Sequence, residues 1–145
     1  MKLQKATELA LYAILEFAAN PSAQVSAAEI AEKYGVSPHH LAKVLRELGR
    51  AGLVESTRGV GGGYRFAGNA KRLTLLDVIE LFETLGPDPA ALAAGTPGER
   101  ALARVASEID EIAKATFRSI TIDTMLKLVE RERRQAAPAP APAAG

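Results

Sequence analysis

"LVESTRGVGGGYRFAG", residues 53–68, sets two short runs of strand-forming residues on either side of a glycine-rich centre. Leu53 and Val54 stand before it, Tyr64 and Phe66 after it, and these residue types favour a pleated, half-buried strand. Four glycines, Gly59 and Gly61 to Gly63, fall within five positions. The pattern predicts a β-hairpin with a long, adaptable tip. A phosphate cradle is the obvious competitor. It needs glycines at the dinucleotide spacing, or a following Lys-Ser/Thr, and a place between a strand and a helix. Here the spacing is wrong and a second strand-like run follows. An idle flexible tip is the plainer alternative.

Upstream of the hairpin the spacing changes to three and four. Leu3, Ala6, Ala10, Ala13, Ile14 and Phe17 mark the inner face of a first helix, which Asn20-Pro21 ends. Ser26 followed by Glu29 is a capping-box signature, so "AAEIAEKYG" opens as a short second helix and Gly35 stops it. Ser37 is a good N-cap and Pro38 a good first residue for a third helix, "PHHLAKVLRELGRAG", with Leu41, Val44, Leu45 and Leu48 on one face and Gly52 at its end. Two capped helices joined by a tight turn form the helix-turn-helix pattern, and a hairpin directly after them is the order of a winged helix.

The third helix leaves His39, Lys43, Arg46 and Arg50 along an exposed edge at i, i+4, i+7 and i+11, with His40 beside it. All can donate hydrogen bonds. A helix that presents donors at its N-terminal end can enter a DNA major groove, whose base edges show distinct acceptor patterns. Such an edge alone is more simply a solvated face; between a capped helix and a wing the DNA-reading alternative becomes the stronger one. Arg58 and Arg65 bracket the glycine tip, and an arginine on a thin loop can enter a minor groove. Tyr64 can anchor the base of the hairpin in the core.

Downstream, Thr74 and Asp77 box the start of a helix in "TLLDVIELFETLG", with Leu75, Val78, Ile79 and Phe82 as its stripe. Residues 86–98, rich in Pro and Ala, read as a loop. A long helix follows over 99–117, apolar at Leu102, Val105, Ala106, Ile109, Ile112, Ala113 and Phe117 and charged opposite, so it needs a partner surface. Thr121 opens a last helix with Ile122, Met125, Leu126 and Val129. The end, "AAPAPAPAAG", cannot form a core and is expected to be disordered.

The charge is uneven. Residues 1–72 hold ten Lys/Arg against six Asp/Glu, whereas the remainder holds eight against eleven. A basic front and an acidic back fit an anionic partner at the front, though the asymmetry alone does not decide it. The chain has no cysteine, which removes disulfides, thiolate metal sites and cysteine nucleophiles. His39 and His40 are the only histidines; adjacent helical residues point apart, so they make a poor metal pair. No nucleophile–base set supports an enzyme. Glu8 and Glu16 interrupt the apolar start, and no run is long enough for a membrane span. A soluble, cytoplasmic protein is expected.

On these residues the chain resembles the Rrf-two family of bacterial winged-helix transcription regulators, the IscR- and NsrR-like group. "GLVESTRGVGGGYRFA" is close to that family's wing, and "MKL", "SPHHLAKVLRELGRAGL", "LTLLDVIE" and "SITIDTML" also match, so the resemblance runs from Met1 to about Val129. It implies a mainly α fold with a small hairpin wing: a winged helix-turn-helix over 1–85, a loop over 86–98, dimerisation helices over 99–135 and a tail over 136–145. It further implies that Ser37, His39, His40 and Lys43 touch bases or phosphates, with Arg46 and Arg50 on the same edge. Arg58 would enter the minor groove amid Ser56, Thr57, Gly59, Gly61, Gly62 and Tyr64. Leu102, Val105, Ile109, Ile112 and Phe117 would form the interface of a homodimer that reads a palindromic operator, most often to repress.

Two departures alter the expectation. Many members carry three cysteines in the segment matching 86–98 and bind an iron–sulfur cluster; here there are none, so no cofactor is expected. One carboxylate, Glu8, cannot replace them. Ala42 stands where relatives often have a cytosine-reading glutamate, so a different operator is implied, and Gly49 stands where a larger residue is common, at a cost of ~1 kcal/mol inside a helix. Two alternatives remain open: a winged helix used for protein contact, and a regulator governed by a partner protein or small-molecule effector.

Overall fold

The computed structural model describes residues 2–58 and 62–136. Its centre is α1, Lys5–Ala19, which buries Leu9, Ala10, Ala13, Ile14 and Phe17 completely or nearly so. No side chain of Gln4 caps this helix. Glu83 does so from across the fold: its carboxylate accepts from the Gln4 backbone N–H at 2.9 Å and from the buried Thr7 hydroxyl at 2.5 Å. A carboxylate against the free amides of a helix N-terminus is favoured by hydrogen bonding and by the helix dipole.

Helix α2, Ala27–Tyr34, has the reciprocal Ser26–Glu29 capping box and ends at Gly35, which adopts φ 62°. Helix α3, Pro38–Arg50, is capped by Ser37 and buries Leu41, Val44, Leu45 and Leu48. Its C-terminus is a Schellman closure, in which the Leu53 N–H donates to the Leu48 carbonyl and the Gly52 N–H to that of Gly49, both at 3.0 Å. Gly52 takes the φ of 77° that this closure requires. The chain then enters the hairpin, β1, Val54–Ser56, and β2, Tyr64–Phe66, paired antiparallel with Val54 opposite Phe66.

The hairpin base is tied down twice. The Thr57 backbone N–H donates to the Gly63 carbonyl at 2.7 Å, and the Thr57 hydroxyl accepts from the Gly63 N–H at 2.9 Å. Tyr64 also exchanges two backbone hydrogen bonds of 2.9 Å with Val25, just before α2. A Cβ at Gly63 would sit 2.7 Å from the Val25 carbonyl oxygen, so this close approach requires glycine.

Three sequence expectations are corrected downstream. The helix after the hairpin is one short piece, α4, Leu75–Ile79, rather than the whole of "TLLDVIELFETLG". Its Thr74–Asp77 box forms, but beyond Ile79 the amides of Leu81 and Phe82 bond three residues back, which tightens the turn. That turn brings Glu83 to α1. Residues 86–98 are not wholly loop: Asp88 caps a short helix α5, Pro89–Ala93. The long helix α6 spans Pro97–Ser119, because Thr96 and Glu99 form a further capping box with Pro97 in the first turn.

Helix α7, Ile122–Ala136, returns to the start. The Leu75 N–H donates to the Ile120 carbonyl, the Ile122 N–H to that of Leu73, and the Asp123 N–H to that of Ala70, at 2.8–2.9 Å. Ile122 is fully buried in the same core as α1, α3 and α4. Ala136, assigned to the tail on sequence, ends α7; the rest of the Pro/Ala tail lies outside the described residues.

Candidate nucleic-acid interface

The apolar stripe of α3 is driven inward, which fixes the opposite edge toward solvent. Ser37, His39, His40, Lys43, Arg46 and Arg50 are all exposed there. Their charges are not equally available. Arg50 is held by Glu47 at 3.0 Å, whereas Lys43 and Arg46 make no ion pair among the described residues. His40 is turned toward α1, lining small clefts with Lys5 and Ala6. The Ser37 hydroxyl accepts from the His40 N–H at 3.4 Å.

The hairpin stands beside α3. Between them lies a groove of about 610 Å³, with Ala42, Arg46 and Gly49 on the helix side and Ser56 and Tyr64 on the strand side. Glu55 also faces it, but Arg65 across the strands takes up that carboxylate at 2.9 Å. Arg65 is therefore an internal partner, not a free cation bracketing the tip. Arg58 is exposed at the start of the tip. Gly62 is described and half-buried, whereas Gly59 and Gly61 lie outside the described residues.

Two members of the expected contact set serve the fold as well. The Thr57 hydroxyl is occupied within the chain, accepting from the Gly63 N–H and donating to the Gly63 carbonyl at 3.0 Å. Tyr64 lays its ring 6.2 Å from that of Phe17 and so anchors the hairpin to α1. The Tyr64 anchor is the one expected from the sequence, whereas the Thr57–Gly63 pairing could not be read from residue types and follows from the strand register.

Helices α1 and α2 are joined by a polar and aromatic cluster. Tyr12 and Tyr34 stack with centroids 4.9 Å apart and planes within 5°. The Glu16 carboxylate accepts from Lys33 at 2.6 Å and from the Tyr34 phenol at 2.7 Å. Burial would raise the Glu16 carboxyl, but the Lys33 and Tyr34 hydrogen bonds outweigh it and hold it below its ordinary value. Burial and the Glu16 carboxylate push the Tyr34 phenol up.

Helix α6 exposes Leu102, Val105, Ile109 and Ile112, 71, 55, 59 and 68 % accessible, along one line at i, i+3, i+7 and i+10. Phe117 does not join that line; it is half-buried and packs against the chain's own core. On another side α6 meets α5 across a cleft of about 140 Å³, between Asp88 and Ala91 and the Ala103–Asp110 turns. Among the described residues no helix is long and apolar enough to cross a membrane, and no three His, Asp or Glu side chains gather as metal ligands.

The family model for Rrf2, described as an iron-dependent transcriptional regulator, matches residues 3–128. A candidate HTH-type transcriptional regulator, BadM of Rhodopseudomonas palustris, is 58% identical over 136 residues, 93% of this chain and 87% of that protein. Among solved structures, CymR (YrzC), the global cysteine regulator of B. subtilis, superposes with a TM-score of 0.74 at 26% identity, covering 88% of this chain and 98% of the other. IscR of T. potens gives 0.72 at 26% identity, covering 96% and 94%. These relatives are regulators rather than enzymes. An iron–sulfur cluster does not fit the residues present, because the 86–98 segment offers no thiolate or imidazole and its Asp88 carboxylate already caps α5. Family match and winged-helix fold agree, and the exposed edge of α3 is cationic: the chain belongs to the Rrf2 family of DNA-binding transcriptional regulators.

Proposed function

We propose that the chain is a cytoplasmic homodimer that binds a roughly palindromic operator and represses by occupying it. One observation carries the DNA-reading geometry: Arg46, free of ion pairs among the described residues, borders a groove whose other wall is the tied hairpin, with Lys43 exposed on the same helix. A helix and a wing so placed suit a major groove and the minor groove next to it. The homodimer is supported by the exposed seam of α6, an apolar line that the described residues leave uncovered. Two-fold symmetry of such a dimer would require inverted half-sites. The signal would be a partner protein or small effector acting where α5 meets α6. The cleft of about 140 Å³ there is below the ~300 Å³ of common ligand pockets, which favours a partner or a very small molecule.

The test is selection of bound fragments from genomic DNA, followed by anisotropy titration of the winning duplex across a salt series. Inverted half-sites, and an affinity that falls steeply as salt rises, are expected from phosphate neutralisation. Equal affinity for every duplex sequence would defeat the operator reading, and a weak salt dependence would favour a protein-contact module instead. Transcription from the recovered promoter, with and without the protein, distinguishes repression from activation.

A further inference from the structure

Helix α3 carries Gly49 in its last turn. A glycine inside a helix weakens it relative to alanine. Two demands within a chain commonly retain one: a positive φ, or a neighbour that would collide with a Cβ. Neither operates here. The positive-φ glycines among the described residues are Gly35, Gly52, Gly86 and Gly95. A Cβ at Gly49 would meet only the Val54 carbonyl oxygen, at 3.9 Å, an ordinary contact. The Schellman bond uses only the Gly49 carbonyl, which any residue supplies. A bare backbone at this position therefore answers no demand of the described residues' own packing.

The position indicates a different demand. Gly49 lines the groove between α3 and the hairpin, one turn from Arg46 and across from Ser56. If α3 lies in a major groove and the hairpin in the neighbouring minor groove, the sugar–phosphate strand dividing those grooves must run between the two elements. The groove's chemistry suits that strand. Arg46 is free of ion pairs among the described residues, Ser56 is exposed, and the Glu55 charge is neutralised by Arg65. We propose that Gly49 is a positioning residue: its missing side chain lets one DNA strand settle deeply enough for Arg46 and Ser56 to reach its phosphates. The inference rests on the DNA-reading function proposed above and adds to it the seating of the strand.

The test compares the wild type, Gly49→Ala and Gly49→Leu on the best duplex that the wild type selects from a random-sequence library. Both variants are expected to melt above the wild type, because alanine and leucine are strong helix formers. Affinity is expected to fall about tenfold for Gly49→Ala and about a hundredfold for Gly49→Leu, within the range of a lost DNA contact. The slope of log affinity against log salt should shrink by about one unit for Gly49→Leu as a phosphate contact is lost. In an Arg46→Ala background the same Gly49→Leu change should cost much less affinity, since its effect acts through Arg46. Unchanged affinity in both variants, or melting below the wild type, overturns the proposal. A wild type that selects no duplex instead overturns the DNA-reading function beneath it.

Discussion

Besides Arg58 at the start of the tip, four cations sit on or beside α3 and the hairpin, and the structure divides them. Arg46 and Lys43 are free among the described residues, whereas Arg50 and Arg65 are each held by a carboxylate at about 3 Å. Surface pairs of this kind are weak, but they lower the local positive potential. Arg46→Ala is therefore expected to weaken operator binding by ~1–3 kcal/mol, and Arg50→Ala by clearly less, in one anisotropy titration series. Equal losses would mean that the pairs open on binding. The exposed edge itself was legible in the sequence, because the leucine and valine stripe of α3 leaves only one side for polar residues. Which charges on it are spent was partly legible: Glu47 and Arg50 are three apart on a helix, a spacing at which side chains meet. Glu55 and Arg65 are ten apart, and only the Val54–Phe66 register brings them opposite.

At the scale of elements, helix starts read well wherever a capping box stood alone, as at Ser26 and Thr74. The box at Thr96 was hidden among prolines, glycines and alanines that read as loop, so α6 begins earlier than the sequence suggested. The end of α4 was not legible. It is set by Glu83 reaching the N-terminus of α1, 79 residues away from Gln4 in sequence. The junction of α1 and α2 offers a pH test. Glu16 is held below its ordinary carboxyl value, so the stabilisation it gives is present above that value and fades as pH falls through the folded one. Glu16→Gln is expected to cost about 0.5–1 kcal/mol at neutral pH, discounted because Lys33 is half-exposed. Denaturant midpoints measured along a descending pH series should converge for the two proteins.

For the whole molecule, the central question is what covers α6. Leu102, Val105, Ile109 and Ile112 were legible as an apolar stripe; Phe117 was grouped with them because spacing alone does not show which side meets the chain's own core. Ile109→Asp changes a side chain that is 59 % accessible, so the fold should lose no more than about 0.5 kcal/mol. On the dimer reading, sedimentation should show a monomer, and operator affinity should drop ~10²–10⁴-fold as the two half-sites lose their linkage. A variant that remains dimeric would place the interface elsewhere.

The return of α7 to residues 70–75 has a consequence for how the polypeptide comes apart. Backbone bonds from Leu75, Ile122 and Asp123, with Ile122 sealed into the core, fasten the C-terminal piece to the N-terminal one. A single protease nick in the exposed 88–95 stretch should therefore yield two fragments that co-elute under native conditions and separate only in denaturant. Cut in that way, the N-terminal fold would keep its shape while α5, which stands between α4 and α6 in the chain, loses its continuity.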